Sequence, residues 1–271
     1  MSNRSRSVII TGAARGIGRA VAEALLDDGH RITIVDINEQ ALEQCRAALG
    51  SRDNLLIVGA DITSEESCRA AVAQTIDRFG ALHGLVNNAG IGVSSLRADA
   101  EKNLPGIEEL TPDVWRRFFE VNVIGAVNMT RAGIAHLKAA GWGRIVNNTT
   151  SYLTMHRVQP YGASKSALES TSAVWAKELD GSGITVNVVV PGGPTDTEFV
   201  ADIGIPRQKM LRPAVMAPPI QWLMRDESNG FTGRRIVAGH WDASLAPGTA
   251  AAKTARAIAW PELTGDVIWA G

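Results

Sequence analysis

The sequence predicts an α/β fold: a doubly wound, mostly parallel seven-stranded sheet with helices on both faces, in a single domain. Three observations predict it. Short apolar β-type runs alternate with longer helical ones along most of the chain. The runs are apolar throughout, so both faces of the sheet need cover. Helices between successive strands supply that cover as right-handed parallel crossovers, and ligands are then expected beyond the C-terminal ends of the strands.

Ser7–Ile10 (SVII) reads as the first strand, followed by a glycine-rich turn and a helix from Gly16 to Asp28 that Gly29 stops. Arg31–Asp36 (RITIVD) is the second strand, Glu39 to Ala48 the second helix and Asn54–Gly59 (NLLIVG) the third strand. Thr63 and Ser64 are candidate caps for a helix over Glu65 to Phe79. Gly84–Asn87 (GLVN), Arg144–Asn148 (RIVNN) and Thr185–Val190 (TVNVVV) give strands four to six, and Arg235–Ala238 (RIVA) the seventh. Two long helices, Thr111–Lys138 and Gln159–Asp180, lie between the later strands. Gly92–Leu110 reads as a polar insertion before the first of them. Residues 1–242 thus make one domain with an integrated substrate site. Residues 243–271, rich in Ala and carrying Trp260 and Trp269, form a tail expected to pack on a neighbour or close over the site.

A formal net charge of −1 lacks the basic excess of a sequence-independent nucleic-acid binder, so small-molecule partners are expected. Cys45 and Cys68 sit in amphipathic helical stretches without CxxC spacing, which reads as buried free thiols rather than a metal site or a disulfide. No apolar stretch approaches the ~20 residues of a membrane span and no signal-peptide pattern opens the chain, so a cytoplasmic location without membrane partners is expected.

Thr11-Gly-Ala-Ala-Arg-Gly-Ile-Gly18 joins the first strand to the first helix. Gly12 allows the tight turn, Gly16 lets main chain approach a pyrophosphate, and Gly18 lets the helix pack close to the sheet. Arg15 and Ile17 lie in the same loop, and the helix N-terminus offers free N–H groups to phosphates. Asp36, with Ile37 beside it, closes the second strand where a carboxylate accepts from the adenosine ribose hydroxyls and repels a 2′-phosphate. Arg15 pulls the other way, but one carboxylate at close range outweighs one exposed Arg, so NAD is expected rather than NADP. Tyr161 and Lys165 are four residues apart on one helix face. An ammonium beside the phenol, with the positive nicotinamide of a bound cofactor, would lower the tyrosine pKa from its usual ~10 and let it work as general acid/base; by itself such a spacing is more often a surface Tyr–Lys pair, and the ordered motifs that follow favour catalysis.

TGAARGIG, Asp61 in ADIT, Asn87-Asn88-Ala89-Gly90, Asn122 in VNVIG, Tyr161-Gly-Ala-Ser-Lys165 and Pro191-Gly192-Gly193 occur in this order over residues 7–240. In this the chain resembles the short-chain dehydrogenases/reductases, Rossmann-type oxidoreductases. The resemblance implies that Asp61 and Ile62 contact adenine. It also implies that Asn88, Ala89 and Gly90 line the adenosine ribose. Pro191, Gly192 and a following Thr would meet the nicotinamide, with Thr195 and Thr197 both near the expected offset. Asn122 would anchor a water that relays protons from Lys165. The family's substrate-binding Ser is displaced here. The usual spacing of 13 residues before Tyr161 lands on Asn148, counting along the strand lands on Thr150, and chemical identity favours Ser151. Both hydroxyls stay candidates.

The expected function is interconversion of a secondary alcohol and a ketone by hydride transfer to or from a nicotinamide. A non-catalytic nucleotide-binding regulator or scaffold is the alternative, and the presence of both Tyr161 and Lys165 speaks against it. A sugar-nucleotide epimerase would need a larger C-terminal domain than follows the seventh strand. Candidate pocket walls are Gly92–Leu96, Tyr152–Gln159 and Thr197–Arg212, with Tyr152, Met155, His156, Arg157 and Phe199 among them. A homo-oligomer is expected, a tetramer before a dimer, with Trp115, Phe118, Phe119, Ala173 and Trp175 on the pairing helices.

Overall fold

In the computed structural model, residues 4–97, 99–200 and 203–262 are described. Among them eight strands form one sheet in the order β3-β2-β1-β4-β5-β6-β7-β8. In the first half β1 (Ser7–Thr11), α1 (Gly16–Asp27), β2 (Arg31–Asp36), α2 (Glu39–Leu49), β3 (Leu55–Gly59), α3 (Glu65–Phe79) and β4 (Gly84–Asn87) alternate regularly. The second half runs α4 (Pro112–Phe119), α5 (Gly125–Ala139), β5 (Gly143–Asn148), α6 (Tyr152–Arg157), α7 (Tyr161–Glu178), β6 (Ile184–Val190), α8 (Ala217–Leu223), β7 (Arg234–Val237), α9 (Pro247–Thr254) and β8 (Ala255–Ala257). Seven strands are parallel. The eighth, unforeseen from the sequence, pairs antiparallel with β7 and lies within the expected tail. Trp269 lies outside the described residues.

Apolar strands alternate their side chains between two buried layers. Val8, Ile10, Ile32, Ile34, Val86 and Val146 pack with α1, α2 and α8 on one face. Ile9, Val35, Leu85, Ile145 and Val186 pack with α3, α5 and α7 on the other. Each such side chain contributes roughly 1.5–3 kcal/mol by leaving water, and this drives the two-sided arrangement. Both cysteines are buried and free, in these same layers.

Two expectations need correction. The helix foreseen over 111–138 is interrupted: a π-helical turn, Glu120–Ile124, separates α4 from α5. Apolar periodicity carries across such a turn, so the sequence does not reveal it. Phe118 is not on an outer stripe; it is fully buried with Val93 and Ala100, under Tyr161. Trp115, Phe119, Ala173 and Trp175 are half-buried, while Ile124 and Val174 are the large apolar side chains these helices expose.

Candidate active site

The strand order reverses between β1 and β4, and the C-terminal strand ends there open into a cleft of about 1470 Å³. That exceeds a typical small-molecule pocket and leaves room for a dinucleotide beside a small substrate.

The loop after β1 forms one wall. Gly12 has φ +62°, and a Cβ there would lie 2.7 Å from the Cα of Ala89. A Cβ on Gly18 would lie 2.5 Å from the Gly12 carbonyl oxygen. Only glycines let β1, α1 and the segment after β4 close this far, bringing main chain to the cleft surface. The segment is then locked: the Thr11 hydroxyl accepts from the N–H groups of Asn88 and Ala89, both at 3.1 Å, and the Asn88 amide donates to the Thr11 and Gly12 carbonyls at 3.0 Å. No side chain caps α1, and Gly16 and Ile17 of its first turn line the cleft with free N–H groups as an anion cradle, while Gly18 is buried against the loop behind them. The cradle fits the pyrophosphate of a dinucleotide.

Asp36 lines the cleft at the end of β2, accepting from Ala14 N–H at 3.2 Å and Asn38 N–H at 3.1 Å. Ile37 beside it is two-thirds exposed. Arg15 is committed elsewhere: its guanidinium pairs with Glu198 across the cleft mouth. The Asp61 carboxylate accepts from the Thr63 N–H and hydroxyl, both at 2.8 Å. Ile62 packs against Gly125 of α5, and both Asp61 and Ile62 line the cleft. Gly90, Pro191, Gly192, Thr195 and Thr197 line it too. Thr195 donates to the Gly193 carbonyl and Thr197 to the Thr195 carbonyl, while Asp196 between them holds Arg207 at 2.6 Å and Arg212 at 2.8 Å.

Tyr161 opens α7 at the cleft floor and is half-buried, with the Phe199 ring 5.8 Å from its own. The Thr150 side chain stands beside the Tyr161 phenol and favours the phenolate. Ser151 is occupied otherwise: its oxygen accepts from Thr154 N–H as the cap of α6 and lies 2.9 Å from the Thr154 hydroxyl. The expected lowering of the tyrosine pKa is reversed in the chain alone. Burial pushes the phenol up to about 12, the neighbouring Thr150 side chain works against that, and the charge of Glu101 adds to it. Lys165, one turn on, is itself buried and donates to the Asn148 carbonyl at 2.9 Å. Burial brings its ammonium down to about 8.

Asn122 sits in the π-helical turn and ties three elements. Its amide oxygen accepts from Ile91 N–H at 2.8 Å, and its nitrogen donates to the Ile91 carbonyl at 3.0 Å and the Ser164 hydroxyl at 2.9 Å. A Cβ on Gly90 would touch both Asn122 Oδ1 and Lys165 Nζ, so that glycine lets the two stand side by side.

The middle candidate wall is only partly right. Leu153, Thr154 and Val158 line the cleft, whereas Met155 is buried and His156 and Arg157 point to solvent. Tyr152 turns toward the tail and donates to the Ala259 carbonyl at 2.9 Å. Glu101, Glu198, Glu169 and Arg235 were not foreseen. The first two sit in irregular loops without local pattern. The sign of Glu169 is a charge eight residues beyond Tyr161, on the helix face that carries Tyr161 and Lys165.

The short chain dehydrogenase family model matches residues 6–207. The chain is 33% identical over 222 residues to an L-fucose dehydrogenase of Oryctolagus cuniculus, covering 79% of this chain and 72% of the relative. It is 32% identical to a cis-4-hydroxycyclohexanecarboxylate dehydrogenase of Sinomonas cyclohexanicum, over 84% and 92% of the two chains. The crystal structure of a 3-ketoacyl-(acyl-carrier-protein) reductase from Brucella melitensis complexed with NADH superposes with a TM-score of 0.72 at 28% identity, over 85% of this chain and 95% of that one. The chain belongs to the short chain dehydrogenase family.

Proposed function

We propose that this chain, by family an oxidoreductase of alcohols and ketones, oxidises or forms a secondary alcohol with NAD(H), with Tyr161 exchanging the hydroxyl proton. The observation that carries the proposal is the Thr150–Tyr161 hydroxyl pair at the cleft floor with Lys165 buried one turn behind. A bound nicotinamide supplies the hydride acceptor or donor at this floor. The remaining work falls to side chains. Thr150 donates to the substrate oxygen and keeps it against the phenol. Tyr161 takes the alcohol proton as a phenolate, or gives its proton to the ketone oxygen in the reverse direction. Lys165 supplies the positive charge that favours the phenolate. Asn122 keeps the Ile91 main chain and α7 in register behind it. Phe199 covers the phenol and keeps water out.

Asp36 at the ribose end and the pairing of Arg15 with Glu198 support NAD over NADP: a 2′-phosphate would meet a carboxylate and a cation already neutralised. Titration with both cofactors tests this, tighter binding of NADP(H) being the contrary result. Asp36→Ala should narrow the difference.

The C-terminal segment from 243 serves, in this reading, as an extension closing the β7 edge of the domain. Pairing of α4–α5 and α7 with a second copy would cover Ile124 and Val174, and a homotetramer, or failing that a dimer, is the assembly this supports. Light scattering at micromolar concentration tests it; a fully active 28.8 kDa species is the contrary result.

A further inference from the structure

Behind Thr150 lies a buried ion pair. Glu169 on α7 is fully buried and Arg235 on β7 nearly so, with Arg235 Nη1 2.6 Å from Glu169 Oε2. Thr149 donates to the same carboxylate oxygen at 2.7 Å. The other guanidinium nitrogen, Arg235 Nη2, donates to the Thr150 carbonyl at 2.5 Å. The guanidinium lies 4.2 Å from the Tyr152 ring, and Glu169 Oε1 accepts from Ala259 N–H at 3.4 Å.

Burying two charges costs several kcal/mol per ion before their attraction is counted, and apolar residues of similar volume commonly hold a fold as well or better. Stability is therefore a poor reason for this pair. Its geometry offers another. Arg235 has one arm on Glu169 and one on the main chain of Thr150, whose hydroxyl stands beside the Tyr161 phenol on the cleft floor. Glu169 lies on the same helix as Tyr161, two turns on. The pair thus fixes the end of β5 to α7, the two elements whose relative placement decides whether the Thr150 hydroxyl meets the phenol.

We propose that Arg235 and Glu169 are positioning residues for the Thr150 hydroxyl. The inference rests on the Thr150 reading given above. A displacement of the hydroxyl by a fraction of an ångström would weaken the bond its one proton makes to the substrate oxygen, which it holds against the phenol.

Arg235→Lys is the sharpest test, because an ammonium can stay on Glu169 but has no second planar arm for the Thr150 carbonyl. The expected result is a kcat for alcohol oxidation lowered roughly 10- to 100-fold with NADH affinity unchanged. The rise of kcat with pH should also move to higher pH, since Thr150 then favours the phenolate less. In a Thr150→Ala background Arg235→Lys should add no further loss. The double variant Arg235→Met/Glu169→Met, which removes both charges and keeps the volume, should melt no lower than the parent yet show the same kcat defect. The inference is overturned if Arg235→Lys leaves kcat and its pH profile unchanged, or if its loss adds in full to that of Thr150→Ala. If Thr150→Ala alone has little effect, the Thr150 reading itself fails; a large effect of Thr150→Ala with none of Arg235→Lys overturns only the positioning role.

Discussion

Tyr161 and Lys165 were legible because their four-residue spacing and the order of motifs around them need no knowledge of tertiary contacts. Thr150 and Ser151 were not separable that way: which of two adjacent side chains faces the cleft depends on where β5 ends, and counting from either end gives a different residue. The structure gives them different partners, and these predict different consequences. Thr150→Ala should lower kcat roughly 10²–10³-fold, as loss of an oxyanion donor does. Ser151→Ala should cost about 1 kcal/mol of stability through loss of the α6 cap while leaving most of kcat. Thermal melts and initial rates of the two variants check both. Glu101 and Glu198 were invisible because their partners come from distant loops. Glu101 lines the cleft half-buried, burial pushes its carboxyl pKa up, and its charge raises that of Tyr161. Glu101→Gln removes that charge, lowers the phenol pKa and should move the rise of kcat with pH to lower pH. An unmoved profile would mean that Glu101 does not act on Tyr161. Glu198→Ala frees Arg15 and should raise NADP(H) affinity more than NAD(H) affinity, as read by fluorescence titration.

At the scale of elements, β1 to β7 were readable because buried parallel strands are unbroken apolar runs, and the residues found match those runs to within one at either end. β8 was missed for a physical reason: Ala-Arg-Ala is three residues long, borders the sheet on one side only and leaves Arg256 exposed, so it carries neither an apolar run nor an alternation. The π-helical turn was missed because the apolar face of α4 runs on into α5 across it. Short α6 escaped for want of length, though it is what occupies Ser151. The glycine loop was legible by spacing, and its geometry gives the reason. A Cβ on Gly18 would lie 2.5 Å from one carbonyl oxygen and 2.6 Å from the Asn88 amide. Gly18→Ala should therefore push α1 off the sheet, lower the melting temperature and weaken dinucleotide binding together. Intact binding would show that α1 yields without disturbing the cradle.

The whole molecule divides between its two ends: the strand C-termini carry the site, and at the opposite end two imidazoles accept main-chain hydrogen bonds among charged neighbours. There His83 Nδ1 accepts from Ser7 N–H at 3.2 Å and His30 Nδ1 from Arg6 N–H at 3.0 Å. Burial lowers both pKa values, that of His83 to about 4, with Arg6 adding to the effect. The unfolded chain, with His near its ordinary 6.5, binds these protons more readily than the folded one between about pH 6.5 and 4. Stability should be full above pH 6.5 and fall as pH drops through that window. His83→Asn keeps an acceptor but cannot protonate, and should flatten the fall in melting temperature; an unchanged slope would place the acid lability elsewhere. Tyr161 as the proton-transfer group, with NAD as the cofactor, is the proposal on which the rest stands. Its most direct test is NADH absorbance with a panel of secondary alcohols, for the parent chain and Tyr161→Phe, beside an NADH binding titration of each. The expected result is turnover by the parent, a loss of roughly 10²–10⁴-fold in Tyr161→Phe, and the same NADH affinity in both. Turnover by Tyr161→Phe close to that of the parent would contradict it.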